Sequence, residues 1–244
     1  MICYIILTVA VLLSLGYSFM EKLLFPAPFT GEKVGNVTLR SGDAVLDALW
    51  LPVHDGSKVI LYSHGNGEFL DSLLPWLEEF NRRGYSIFAY DYAGYGGSSG
   101  KPGEKQSYSD IEAAYRFLTQ DKKIAPENII VMGFSVGSGP SSYLAAKYPV
   151  KAVVLAAPFA AASQVVFPFS VPFDRFPNAA RLSKKDVPLL IFHGTSDRII
   201  PYRNGKKIFE QAAGRKKIVS IPGADHNDLF SVAGEIFWNE LKNF

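Results

Sequence analysis

From Val45 onward the chain alternates short apolar runs with segments whose apolar residues recur every three or four positions. Four runs, Val59–Ser63, Ser86–Tyr90, Asn128–Met132 and Ala152–Ala156, are followed by two more, Pro188–Phe192 and Lys217–Ile221. Continuous apolar runs this short suit strands buried on both faces, as in a parallel sheet. Val45–Val53 alternates only in part, as a half-solvated edge strand does. Between the runs, Leu70–Arg83, Ser109–Gln120, Ser135–Tyr148, Tyr202–Ala213 and Asp228–Leu241 carry helical spacing. Leu73, Trp76, Leu77 and Phe80 share one face of the first, and Asp110 suits the positive start of the second. The alternation predicts an α/β fold, a mostly parallel central sheet of about eight strands with helices on both faces.

Two stretches break this rhythm. Residues 1–20 contain no charged side chain. As a helix they would span roughly 30 Å, the thickness of a hydrocarbon core, so a single-pass N-terminal membrane anchor is expected. A signal peptide competes: the basic n-region is missing, but Ser14-Leu15-Gly16 resembles a cleavage site, and cleavage would give a secreted or periplasmic protein. A packed apolar arm is the third reading. Lys22, Lys33 and Arg40 follow the span, which leans towards a cytoplasmic domain while leaving the side open. The second stretch, residues 159–186, holds Phe159, Phe167, Phe169, Phe173 and Phe176 with Pro168, Pro172 and Pro177, too broken for a long helix. It reads either as a cap over a site or as aromatics that complete the core. Residues 30–244 read as one domain carrying that cap.

Composition narrows the chemistry. With 48% hydrophobic residues among 244, the chain is not disordered. Twenty-five basic against 23 acidic side chains give a net charge of +2, so no nucleic-acid partner is expected. Cys3 is the only cysteine and the four histidines are dispersed, so neither a metal site nor a cofactor is expected.

Gly133-Phe134-Ser135-Val136-Gly137 is a G-x-S-x-G motif between an apolar run and a small-residue helical segment. That context places Ser135 on a sharp turn that lifts its hydroxyl above the sheet. Gly96-Gly97-Ser98-Ser99-Gly100 also matches the motif, but no helical run begins there, so Ser98 is read as a loop residue. A serine nucleophile needs a base and a group that orients the base, in the chain order Ser, Asp, His. Asp197 follows the run Pro188–Phe192, and His226 follows Lys217–Ile221 as the only histidine downstream. Asp174 and Asp186 are rival acids; one falls in the cap and the other precedes its strand. Asp225, beside the base, is read as a solvated loop residue. An oxyanion needs two donors, read as the backbone N–H groups of Val136 and of Asn66 in His64-Gly65-Asn66-Gly67-Glu68. His64 and His193, each before a glycine at a strand end, are read as structural.

These motifs, with DYAGYGGSSGKP, GFSVGSGP and HGTSDRIIP, resemble the serine α/β-hydrolase superfamily over about residues 30–244. More narrowly they resemble its serine-aminopeptidase-like, membrane-anchored abhydrolase branch, which includes protein depalmitoylases. The resemblance implies an α/β-hydrolase fold, the nucleophile at Ser135, the acid at Asp197, the base at His226 and the oxyanion donors at Asn66 and Val136. It also implies a structural role for Asp91 and Tyr92 in the loop after an early core strand. The chain departs from the depalmitoylases, whose N-terminus is cysteine-rich and acylated, in having Cys3 alone. The expected function is hydrolysis of a carboxylic ester or thioester of a small or lipid-like acyl substrate, a thioesterase or esterase at the membrane. An aminopeptidase or amidase is the enzymatic alternative; a non-catalytic anchored binding module is the other.

Overall fold

The structure, a computed structural model, describes residues 24–26, 31–53, 58–169, 171 and 174–244. The expected anchor at 1–20 and the cap residues Pro172 and Phe173 lie outside them. Among the described residues no helix is long and apolar enough to cross a membrane.

Eight strands form one sheet: β1 (Val37–Ser41), β2 (Ala44–Leu51), β3 (Val59–Ser63), β4 (Ser86–Tyr90), β5 (Ile129–Phe134), β6 (Ala152–Ala156), β7 (Leu189–Gly194) and β8 (Lys216–Ile221). Their order is β1-β2-β4-β3-β5-β6-β7-β8. β2 pairs antiparallel with β1 and with β4, and every later pair is parallel. The expected edge strand is therefore an inner one. β1 covers it, with Val37 opposite Ala48 and Leu39 opposite Leu46. Its partial alternation comes from the exposed Val45 and the buried Asp47, whose carboxylate accepts the backbone N–H groups of Val34 and Gly35.

The helices are α1 (Leu70–Arg82), α2 (Glu104–Arg116), α3 (Ser138–Lys147), α4 (Asn178–Leu182), α5 (Arg203–Gln211), α6 (Leu229–Ala233) and α7 (Glu235–Asn243). Strand residues alternate between the two faces of the sheet. Ile60 and Tyr62 meet α1, α6 and α7 on one face, while Val59 and Leu61 meet α2 and α3 on the other. Leu70, Leu73, Leu77 and Phe80 of α1 are buried, each contributing about 1.5–3 kcal/mol of transfer free energy. α2 starts five residues before the expected position, so Asp110 lies inside it. Its buried carboxylate accepts from Ser41 Oγ at 2.6 Å and from the Ala93 N–H at 3.1 Å, tying helix to strand and loop. The last helical segment is two helices, because Gly234 breaks it with φ +47°.

The described aromatics of residues 159–186 fall into two groups. Phe159 and Phe176 are buried in the core, whereas Phe167 and Phe169 are exposed and stacked on each other. Asp174 accepts from the backbone N–H and hydroxyl of Ser163, and the Phe176 N–H donates to Glu104 at 2.7 Å.

Candidate active site

Ser135 stands at the junction of β5 and a 3-10 turn, Ser135–Gly137, that leads into α3. Its φ is +53°, a left-handed conformation that costs a side-chain-bearing residue roughly 1–2 kcal/mol. The turn exists because of its neighbours. A Cβ on Gly133 would strike the Gly137 carbonyl, and one on Gly137 would strike the carbonyl oxygen of Ser63 in β3. Strand and helix therefore approach at a distance that only glycine permits. The rival Ser98 is engaged elsewhere: its hydroxyl donates to Asp91 O and accepts the Asp47 N–H at 2.8 Å.

Three strand-end residues converge. His226 Nε2 lies 2.9 Å from Ser135 Oγ, and His226 Nδ1 lies 2.8 Å from Asp197 Oδ2. All three are buried. The other oxygen of Asp197 accepts the backbone N–H groups of Ile199 at 3.0 Å and Ile200 at 2.7 Å. Burial pushes the Asp197 carboxyl upward, but hydrogen bonds from His193 and His226, the charge of His226 and the Ile200 N–H together hold it well below the usual range. A carboxylate facing Nδ1 favours the tautomer with its proton there, in which Nε2 is an acceptor directed at Ser135 Oγ. The rivals stand apart: Asp174 is spent on Ser163, and Asp186 is exposed ahead of β7.

The two loops carrying Asp197 and His226 are sewn together. Asp225, expected to be merely solvated, accepts the N–H groups of Arg198 at 2.9 Å and of His226 at 2.8 Å and pairs with the Arg198 guanidinium. Thr195 Oγ1 accepts the Gly223 N–H, and the Ser196 N–H donates to Ala224 O.

Asn66 and Val136 line the same pocket as Ser135 and His226. Side-chain contacts hold the Asn66 loop. The Gly65 N–H donates to Glu68 Oε2 at 2.6 Å, and Tyr95 OH donates to Asn66 Oδ1 at 2.9 Å. Burial raises the Glu68 carboxyl, offset in part by the Gly65 N–H and by nearby His226. His64 is buried with Nδ1 2.8 Å from Gly65 O, and burial drives its pKa down to about 4. It takes a neutral structural role. His193, also buried, stands beside the acid. Its Nε2 bonds the Ile200 carbonyl at 2.8 Å and lies 3.5 Å from Asp197 Oδ2, the same oxygen that faces His226 Nδ1. Asp91 accepts the Leu70 N–H at the start of α1, and Tyr92 OH donates to His64 O. Glu68, Tyr95 and His193 lie within motifs quoted from the sequence, but their contacts with Gly65, Asn66 and Asp197 were not legible there, because each is made through space.

The pocket holds 310 Å³ and is lined by apolar groups, Val136, Phe159, Ala162, Val165, Val166, Ile199 and Ile200 among them, with polar atoms from Asn66, Ser135, His226 and Asn227. Leu24, just beyond the uncharged N-terminal stretch, also lines it. Among the described residues no cluster of side chains suits a metal ion.

Residues 55–180 match the family described as Serine aminopeptidase, S33. The chain is 42% identical over 189 residues to human alpha/beta hydrolase domain-containing protein 17B, an alignment covering 76% of this chain and 65% of that relative. It is 38% identical over 204 residues to alpha/beta hydrolase domain-containing protein 17C of Xenopus tropicalis, covering 82% and 65%. The chain thus spans less than two thirds of the length of these relatives, 65% in each case. Solved structures share the fold. Est1E from Butyrivibrio proteoclasticus, with ferulic acid bound, superposes with a TM-score of 0.70 at 18% identity, covering 85% of this chain and 97% of that one. The Pyrococcus furiosus esterase Pf2001 gives 0.68 at 18% identity, covering 85% and 87%. The sheet order, the strand–turn–helix at Ser135 and these matches lead to one conclusion: the chain belongs to the serine aminopeptidase S33 family of α/β-hydrolases.

Proposed function

We propose that this hydrolase is a serine esterase or thioesterase that forms an acyl-enzyme on Ser135. Asp197 and His226 complete the triad. Ser135 Oγ attacks the substrate carbonyl while His226 Nε2 takes its proton, and Asp197 holds the imidazole in the required tautomer. The N–H groups of Asn66 and Val136 bind the oxyanion of the tetrahedral intermediate. Collapse expels the alcohol or thiol, protonated by His226. Water, activated by the same imidazole, then attacks the acyl-enzyme, releases the acid and frees the serine.

The observation that carries this reading is the pocket wall. Its apolar lining includes Ser135 and, among the described residues, offers no carboxylate to receive a substrate ammonium. A lipophilic acyl group suits such a wall, whereas an aminopeptidase needs an acidic group at that place. The reading extends to the chain as a whole: residues 1–20 as a membrane anchor, residues 30–244 as the hydrolase domain, and 159–186 as its cap.

Nitrophenyl esters of rising acyl length, set beside amino-acid anilides, test it. Ester cleavage that strengthens with chain length and vanishes in Ser135→Ala supports the proposal. Faster cleavage of the anilides would transfer it to an aminopeptidase. A Ser135→Ala variant that retained every cellular effect would point to a binding module.

A further inference from the structure

Seven large apolar side chains are exposed among the described residues; two of them line the pocket and two more follow one of these in the chain. Val166 is 68% exposed, Phe169 57%, Ile199 51% and Phe167 47%. Val166 and Ile199 line the pocket itself, and Phe167 and Phe169 continue from Val166 as a stacked pair with ring centroids 5.6 Å apart. They stand in two separate segments, one in the cap and one in the loop that carries Asp197. Isolated exposed apolar residues are ordinary; a cluster rimming an apolar pocket marks a surface that meets something apolar.

The chain's own course says what that is. Leu24 lines the pocket, and Phe25 is buried against Tyr92, Tyr95 and Phe176 at centroid distances of 6.3, 6.5 and 6.1 Å. This point of the chain is therefore pinned beside the pocket. Only Glu21, Lys22 and Leu23 separate it from the uncharged residues 1–20. At 3.3–3.6 Å per residue, Met20 lies within about 14 Å of Leu24 however the link runs. If residues 1–20 occupy a bilayer, the pocket mouth is held at its surface by covalent geometry.

We propose that the rim formed by Val166, Phe167, Phe169 and Ile199 docks on the lipid bilayer, so that an acyl chain passes from membrane to pocket without crossing water. This rests on the reading of residues 1–20 as an anchor. Aromatic and aliphatic side chains of such a rim reach roughly 5–10 Å into the boundary between headgroups and acyl chains. The occupant is a lipid surface rather than a second copy or a protein partner, because the uncharged segment leads within four residues to Leu24, which lines the same pocket as Val166 and Ile199.

The test uses the full chain in phosphatidylcholine vesicles. In a Cys3→Ser background, bimane is attached at Phe169→Cys or, as control, at Lys122→Cys, which precedes β5 at the opposite end of the sheet from Ser135. Lipids brominated on their acyl chains should quench the probe at position 169 and leave position 122 unaffected. In parallel, Phe167→Glu with Phe169→Glu should lower hydrolysis of a long-chain ester embedded in the vesicles by about tenfold or more, while a short soluble ester is cleaved at the parent rate. Chain that sediments with vesicles but shows no quenching at 169 overturns the docking and leaves the anchor standing. Chain that stays in the supernatant overturns the anchor and the docking together, while cleavage of the soluble ester reports separately on the esterase. Equal loss on both esters, or concentration-dependent protection of position 169 without lipid, would assign the rim to the fold or to a second copy and also overturn the proposal.

Discussion

Asp197 Oδ2 and His226 Nδ1 stand 2.8 Å apart, at the ends of two neighbouring strands, with the second oxygen of Asp197 held by the N–H groups of Ile199 and Ile200. Asp197→Asn keeps the shape and reverses the polarity, because an amide N–H facing Nδ1 forces the proton onto Nε2. Such a histidine no longer accepts the Ser135 proton, and kcat should fall by about 10⁴-fold with KM little changed. Steady-state kinetics on a soluble ester check this.

The same substitution has a signature in pH. The Asp197 carboxyl is held below its ordinary range, so the stability it supplies is present above about pH 4, the unfolded value, and is lost as pH falls through the lower folded value. At pH 7 Asp197→Asn should therefore be less stable than the parent by about 1.5–3 kcal/mol, the scale of a hydrogen bond to a charged group. The gap should begin to narrow below about pH 4 and close only as the pH falls through the lower folded value. Thermal melts at stepped pH measure it.

Backbone strain at Ser135 separates function from stability. With φ at +53°, any Cβ there is costly, and glycine removes the cost. Ser135→Ala and Ser135→Gly should both be inactive. Ser135→Gly should nevertheless be the more stable by about 1 kcal/mol, or roughly 2–4 °C in Tm for a chain of this size. Equal melting temperatures would show that the turn carries no such strain.

Much of this arrangement was readable because strand ends in a doubly wound sheet all face one way. Val59–Ser63, Ser86–Tyr90 and Ala152–Ala156 form strands with the expected bounds, and Ser135, Asp197 and His226 each follow a strand, which is why they meet. What could not be read has a physical reason in each case. β1, Val37–Ser41, buries only two of its five residues at the sheet edge and so presents no apolar run. The break at Gly234 needed a backbone angle, and Asp110 looked like a helix start because a buried carboxylate and a capping one share a residue type. Glu68, Tyr95 and His193 act on Gly65, Asn66 and Asp197 through contacts that no spacing announces.

Glu68 supplies the prediction for the oxyanion side. Its carboxylate holds the Gly65 N–H, one residue before Asn66. Glu68→Ala releases that loop and should lower kcat by on the order of ten- to a hundredfold through misplacement of the Asn66 N–H, with a smaller change in KM. Glu68→Gln keeps an acceptor oxygen and should recover most of the rate. A Glu68→Ala variant with the parent kcat would remove Glu68 from any positioning role.

Gly137 tests the packing beneath the serine. A Cβ there meets the Ser63 carbonyl, a backbone atom that cannot swing away. Gly137→Ala should cost about 1–3 kcal/mol or more and displace Ser135 from His226, so activity should fall further than stability alone explains. Kinetics measured well below the melting temperature separate the two effects.

The central claim is that Ser135 is the nucleophile, and a fluorophosphonate probe addresses it most directly. Folded protein treated with the probe should gain one phosphonyl adduct, located on Ser135 by peptide mass spectrometry, with labelling abolished in Ser135→Ala and strongly slowed in His226→Ala. Folded protein that remains unlabelled, or that carries the adduct on another serine such as Ser98, would contradict the account.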